Sequence, residues 1–104
     1  MRLLRLLQGL PAHVIHGDED REVTGLADRA DRIKPGAVFV ARNGSTTAGR
    51  QFIGQALARG ATAVVGEIDQ KDVVTAPEVT WIRIAPTDRA WVGRLAQRWF
   101  GEPA

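Results

Sequence analysis

Residues 33–67, IKPGAVFVARNGSTTAGRQFIGQALARGATAVVGE, constrain the fold of this chain more than any other stretch. They read as a strand, a polar loop containing glycines, an amphipathic helix and a second strand. Pro35-Gly36 is a turn signal, and the run behind it, around Val38 and Val40, is short, apolar and β-branched. Residues 43–49 carry small and polar side chains with no apolar anchor. Phe52, Ile53, Ala56 and Leu57 then recur at helical spacing, and Gly60 stands where a helix C-terminus needs it. Ala63, Val64 and Val65 form a second buried strand. The sum is one βαβ unit, with its loop at the carboxyl end of the first strand, where open α/β sheets put ligands.

The remaining elements extend this unit. Residues 1–10 form a small amphipathic helix with Leu3, Leu4 and Leu7 as its buried stripe; Arg5 and Gln8 interrupt the leucines too soon for a signal peptide. Residues 11–22 read as a loop or weak strand in which Val14 and Ile15 are the buried candidates. Residues 23–26 are a short strand, residues 28–34 are charged and irregular, and residues 38–41 are the central strand. The first long helix spans 51–59, with Phe52 and Leu57 packed over Phe39 and Val40. Residues 63–66 and 80–84 are strands, the latter half-buried around Trp81 and Arg83. Pro86, Thr87 and Asp88 stop that strand and cap a helix over 89–100 whose apolar face carries Val92, Leu95, Ala96 and Trp99. Gly101 and Pro103 end it. The expected fold class is α/β: a small mixed sheet of about four strands with helices packed on it.

With 104 residues the chain builds one compact domain, and 44% hydrophobic residues suffice for a single core. It has no cysteine, which removes disulfides and thiolate metal sites and fits a cytoplasmic protein. No apolar run approaches the roughly 20 residues that span a bilayer, so no membrane insertion is expected. The net charge of +2 comes from scattered arginines rather than a basic tract, and nothing marks a nucleic-acid surface. His13 and His16 flank no third ligand and make a poor metal site. Asp18, Glu19 and Asp20 read as a solvated turn, because three adjacent side chains cannot all face one ion. Ser45 is the only serine, without a helpful histidine–acid context, and no Gly-x-x-x-x-Gly-Lys-Ser/Thr phosphate loop occurs. Trp81, Trp91 and Trp99 are core or interface residues.

KPGAVFVARNG followed by GRQFIGQALARGATAVV resembles the N-terminal domain of the Mur ligases, ATP-dependent enzymes that add amino acids to the UDP-linked peptidoglycan precursor. The family pattern is close to KPGDLFVAxxG, then DGHxFIxxAxxxGAxAvvve. The likeness continues in VTGLADRADR before it and DRAWVGRLAQRWFGEPA after it. That last piece resembles the helix ending in Phe-Tyr-Gly-x-Pro-Ser in ligases acting on UDP-MurNAc-L-Ala-D-Glu. The resemblance covers roughly residues 20 to 104.

The loop over 43–49 is the leading site candidate on both grounds. Its hydroxyls and flanking glycines expose backbone N–H groups, and it leads into a helix N-terminus that favours phosphate oxygens. The residues alone leave an ordinary polar loop as the alternative. The resemblance implies contacts to the uracil and ribose of a UDP-sugar from Ser45, Thr46 and Thr47, with Gly44 and Gly49 on the family glycines and Ala48 where the family has Asp. The family also carries an Asp-Ser-Arg ahead of its Pro-Gly. Ungapped alignment from Pro35-Gly36 places Arg29, Ala30 and Asp31 there, so Ala30 replaces the serine; a one-residue shift gives Ala30, Asp31 and Arg32. Ala30 and Asp31 are therefore the second pair of candidate UDP contacts. The other reading of Asp28, Arg29, Asp31 and Arg32 is a solvated charged face.

The resemblance thus implies a single N-terminal UDP-sugar-binding domain over residues 1–104, cytoplasmic and acting in cell wall biogenesis, cell shape and cell division. Its partners would be UDP-MurNAc-peptide and the catalytic domain of the parent ligase. ATP and Mg²⁺ are expected for that parent; no cofactor and no catalysis are expected in this chain. The alternatives are a stand-alone interaction or scaffolding module that kept the fold and lost the nucleotide, and the N-terminal domain of the D-Ala-D-Ala-adding ligase.

Overall fold

The computed structural model describes residues 2–8, 12–18, 20–41, 47–68, 79–84 and 91–101. In chain order these form α1 (Leu3–Leu7), β1 (Ala12–His16), β2 (Gly25–Ala27), a 3-10 turn (Ala30–Arg32), β3 (Ala37–Ala41), α2 (Thr47–Ala58), β4 (Ala63–Gly66), β5 (Thr80–Ile84) and α3 (Trp91–Gly101). The strands make one mixed sheet in the order β1-β5-β4-β3-β2. β2, β3, β4 and β5 run parallel, and β1 closes one edge antiparallel to β5.

The α/β expectation holds, with five strands in the sheet. The additional strand is β1, where the sequence suggested a loop or weak strand. Its pairing with β5 carries a bulge between Val14 and His16, which breaks the two-residue alternation on which strand recognition rests. The strand expected over 23–26 begins two residues later. Val23 is buried but lies outside the ladder, which starts where Gly25 meets Ala37. The middle strand is β4; β3 sits between β4 and β2 and is buried along its whole length.

The sheet separates two apolar layers. Val38, Val40, Ala63, Val65, Ile82 and Ile84 point to one face and pack with Leu3, Leu6 and Leu7 of α1 and Leu95 of α3. Phe39, Val64 and Trp81 point to the other, where Ile53 and Ala56 of α2 and Ala30 and Ile33 around the 3-10 turn cover them. The alternation along β3, β4 and β5 follows from the strand period of two, and covering both faces is what a mostly parallel sheet requires. Each fully buried Val, Leu or Ile contributes about 1.5–3 kcal/mol relative to exposure.

Two expected helix faces are rotated. In α1 the buried residues are Leu3, Leu6 and Leu7, and Leu4 is 50% exposed. Both leucine triplets satisfy helical spacing. The choice is made by the entry of the helix: Arg2 bridges to Glu22 and the Leu3 amide donates to the Arg21 carbonyl at 2.7 Å, which fixes the rotation of so short an element. In α2, Phe52 is not packed over Phe39 as expected but is 51% exposed; Ile53 and Ala56 bury in its place, with Leu57 partly covered. Ile53, Ala56 and Leu57 form the i, i+3, i+4 stripe, whereas Phe52 has the polar Gln55 and Arg59 at +3 and +7.

The helix stop at Gly60 is as expected. Gly60 has φ +98°, its amide donates to the Leu57 carbonyl and that of Ala61 to the Ala56 carbonyl, the paired bonds of a Schellman cap. The Gly60 carbonyl then accepts from the Gly36 amide at 2.9 Å, joining the end of α2 to the turn that starts β3. At the amino ends of β4 and β5, the Arg21 guanidinium donates from Nε to Thr80 Oγ1 (3.2 Å) and from Nη1 to Thr62 Oγ1 (2.9 Å). Thr80 Oγ1 in turn donates to the Asp18 carbonyl at 2.6 Å. This network satisfies the hydroxyl of Thr80, which is fully buried.

Candidate functional site

Because β2, β3 and β4 are parallel, Ala27, Ala41 and Gly66 end at one edge of the sheet. Two described elements follow these strands in the chain. One follows β2 through Asp28 and Arg29 into the 3-10 turn at Ala30–Arg32. The other is α2, which begins at Thr47. α2 packs on the 3-10 turn, and between them lies a cleft of about 360 Å³ lined by Asp28, Arg29, Ala30 and Asp31 on one side and Phe52 and Gln55 on the other. Its volume falls at the lower end of the roughly 300–1,000 Å³ of small-molecule pockets.

The candidate residues fall as follows. Ala30 and Asp31 both line the cleft. The 3-10 turn buries the Ala30 methyl, 4% exposed, against the α2-side core and turns Asp31 outward. Arg29 makes a forked ion pair with Asp31, Nε to Oδ1 and Nη2 to Oδ2, both at 3.3 Å. With both side chains more than half exposed, the pair contributes about 1 kcal/mol or less. Thr47 and Gly49 belong to the first turn of α2. Gly44, Ser45 and Thr46 lie outside the described residues.

Gly66 holds this edge together. Its Cα pairs with that of Ala41, and a β-carbon on Gly66 would collide with the Ala41 carbonyl oxygen. The strand that launches the polar loop is thus in backbone contact with its neighbour.

Phe52 and Gln55 were not among the sequence candidates. The signal for them was present in the spacing, since a phenylalanine one position off an apolar stripe, with an amide one turn further on, is placed to face solvent rather than sheet.

A second cleft, about 540 Å³, lies beside α1 and is bordered by Arg2, Leu4, Arg5 and Asp20. Arg2 there pairs with Asp20 at 3.0 Å in an exposed contact. In the acidic stretch the Asp20 amide donates to Asp18 Oδ1 at 2.9 Å, and Glu19 lies outside the described residues. Among the described residues no group of three or more His, Cys, Asp or Glu is placed to hold a metal, and no helix is long and apolar enough to cross a membrane.

Residues 22–99 match the family described as Mur ligase family, catalytic domain. The chain is 33% identical over 103 residues to the UDP-N-acetylmuramoyl-L-alanyl-D-glutamate--2,6-diaminopimelate ligase of Phocaeicola vulgatus, a match covering 99% of this chain and 21% of that protein. It is likewise 33% identical over 104 residues to the ligase of the same name from Syntrophomonas wolfei, covering 100% of this chain and 20% of the relative. The chain thus spans about a fifth of the length of the curated relatives it matches. Among solved structures, MurF ligase from Thermotoga maritima in complex with ADP superposes with a TM-score of 0.50 at 24% identity, over 76% of this chain and 17% of that one. That likeness concerns the fold.

Proposed function

This chain belongs to the Mur ligase family, and from that premise we propose that it is the N-terminal substrate-recognition domain of a peptidoglycan precursor ligase, binding the UDP end of UDP-MurNAc-L-Ala-D-Glu. The observation that carries the reading is a cleft beside one carboxyl edge of the parallel sheet. Asp28 to Asp31, which follow β2 at that edge, and Phe52 and Gln55 of α2 flank a single cleft. Ligands of open α/β sheets bind at such an edge.

In this reading Ser45, Thr46 and Thr47 bond the nucleotide, and Gly44 and Gly49 admit it close to the backbone. The N-terminus of α2 favours the phosphate oxygens. Ala30 and Asp31 form the facing wall. The chain's contribution is orientation: binding the remote UDP end holds the precursor in register for chemistry elsewhere, which raises the effective concentration of the reacting group. ATP and Mg²⁺ supply the phosphoryl chemistry of the parent enzyme. This chain carries no phosphate-loop sequence to hold them, so that chemistry belongs to the parent's catalytic domain. The relatives' names, diaminopimelate ligases acting on UDP-N-acetylmuramoyl-L-alanyl-D-glutamate, favour the ligases that add the third residue of the peptide stem; in this reading the parent works in the cytoplasm on cell-wall synthesis.

One observation favours a second reading, a scaffolding module without nucleotide. Ala30 is buried, and the ungapped register of the resemblance puts the family serine at that position. An NMR titration of the chain with UDP-MurNAc separates the two. The substrate-recognition reading requires the first amide shifts at residues 44–49 and 28–31. Saturating ligand with no shift in either segment rejects it in favour of the scaffold.

A further inference from the structure

We propose that Phe52 is the platform on which the nucleobase stacks in this cleft, with Gln55 one turn further along α2 reading the polar edge of the base. The inference deepens the nucleotide-binding reading and rests on it. Phe52 is one of two exposed large hydrophobic side chains among the described residues, at 51%. Packing does not account for its presence, because Ile53 and Ala56 already cover the sheet from this helix. A phenyl ring left half in water forgoes part of the stabilisation its burial would bring. Phe52 instead borders the cleft opposite Asp28, Arg29, Ala30 and Asp31.

The chemistry of the walls selects the occupant. An exposed aromatic ring offers a face to another flat ring, and every base has a π-face to meet it. Gln55 stands at +3 from Phe52 on the same side of the helix and lines the same cleft. Its amide carries a donor and an acceptor side by side, complementary to the adjacent carbonyl and N–H of uracil. Across the cleft the Arg29 guanidinium, held in its fork by Asp31, is a planar cation at the rim. An aromatic surface and one amide match a small planar ligand with a polar edge; at the rim Asp28 and Asp31 outnumber Arg29, so the rim adds no attraction for an anionic tail.

The test uses the 104-residue chain with UDP, and ribose 5-phosphate as a probe lacking the base. On the unsubstituted chain, UDP should move the Phe52 ring and Gln55 side-chain amide resonances, and the uracil H5 and H6 signals should shift upfield in the ring current. Phe52→Ala should weaken UDP binding about tenfold or more, and Phe52→Tyr should restore it to within about twofold. Ribose 5-phosphate should bind all three proteins alike, an outcome that a merely structural role for Phe52 would not produce. UDP binding that shifts residues 43–49 but leaves the ring signals and the Phe52→Ala affinity unchanged overturns the inference and leaves nucleotide binding standing. No UDP binding at any residue overturns both.

Discussion

Gly66 and Ala41 lie in register at the carboxyl ends of β4 and β3, so close that a side chain on Gly66 would occupy the space of the Ala41 carbonyl oxygen. The contact is backbone against side-chain position, with no flexible group to yield. Gly66→Ala should therefore destabilise the fold by about 1–3 kcal/mol, as other overpacked substitutions do. For a domain of this size that lowers Tm by roughly 5–15 °C. A thermal melt matching the parent would mean that β3 and β4 separate freely at this end.

Neighbouring residues on α2 should respond in opposite ways. Ile53→Ala removes a buried side chain and should cost about 2–5 kcal/mol. Phe52→Ala changes a half-exposed one and should stay within about 0.5 kcal/mol of the parent. Urea titrations of both variants test the rotation of the helix; a reversed order would put Phe52 in the core.

Arg21 links the ends of two strands through hydroxyl groups. Its replacement by Ala removes bonds to Thr62 and Thr80, one of them at a fully buried side chain, and should cost about 1–3 kcal/mol. Amide exchange should speed up first around Thr62 and Thr80. Uniform acceleration across the sheet would show that the bonds stabilise no particular edge.

Ala30→Ser asks whether the missing hydroxyl matters to the nucleotide. If the 3-10 turn faces the ligand, the added hydroxyl should tighten UDP binding by roughly two- to tenfold, the value of one neutral hydrogen bond. Calorimetry on both proteins reads it directly; unchanged or weaker binding would place the ligand away from Ala30.

The 104-residue chain should hydrolyse no ATP, because its sequence contains no phosphate loop and no lysine beyond Lys71. A phosphate-release assay should stay at background. Turnover abolished by a substitution within the chain would assign it chemistry of its own.

Local signals sufficed for much of this protein. β3, α2 and β4 were legible because β-branched runs, a helical period and a terminal glycine each act over a few residues, and the Schellman cap at Gly60 needs only its neighbours. The family likeness was equally legible, spread over many positions of residues 20 to 104. What the tertiary structure decided were the choices between equivalent local patterns. Leu3, Leu4 and Leu7 satisfy helical spacing as well as Leu3, Leu6 and Leu7 do, and the contacts of the helix start with Arg21 and Glu22 select the second set. Ala12–His16 becomes a strand because β5 has a free edge to cover, and its bulge hides the alternation. The cleft joins residues 28–31 to Phe52 and Gln55, more than twenty positions apart, because parallel strands bring their carboxyl ends to one side. Spacing along a chain reports which side chains share a face; which face meets the sheet is settled by contacts that are distant in sequence.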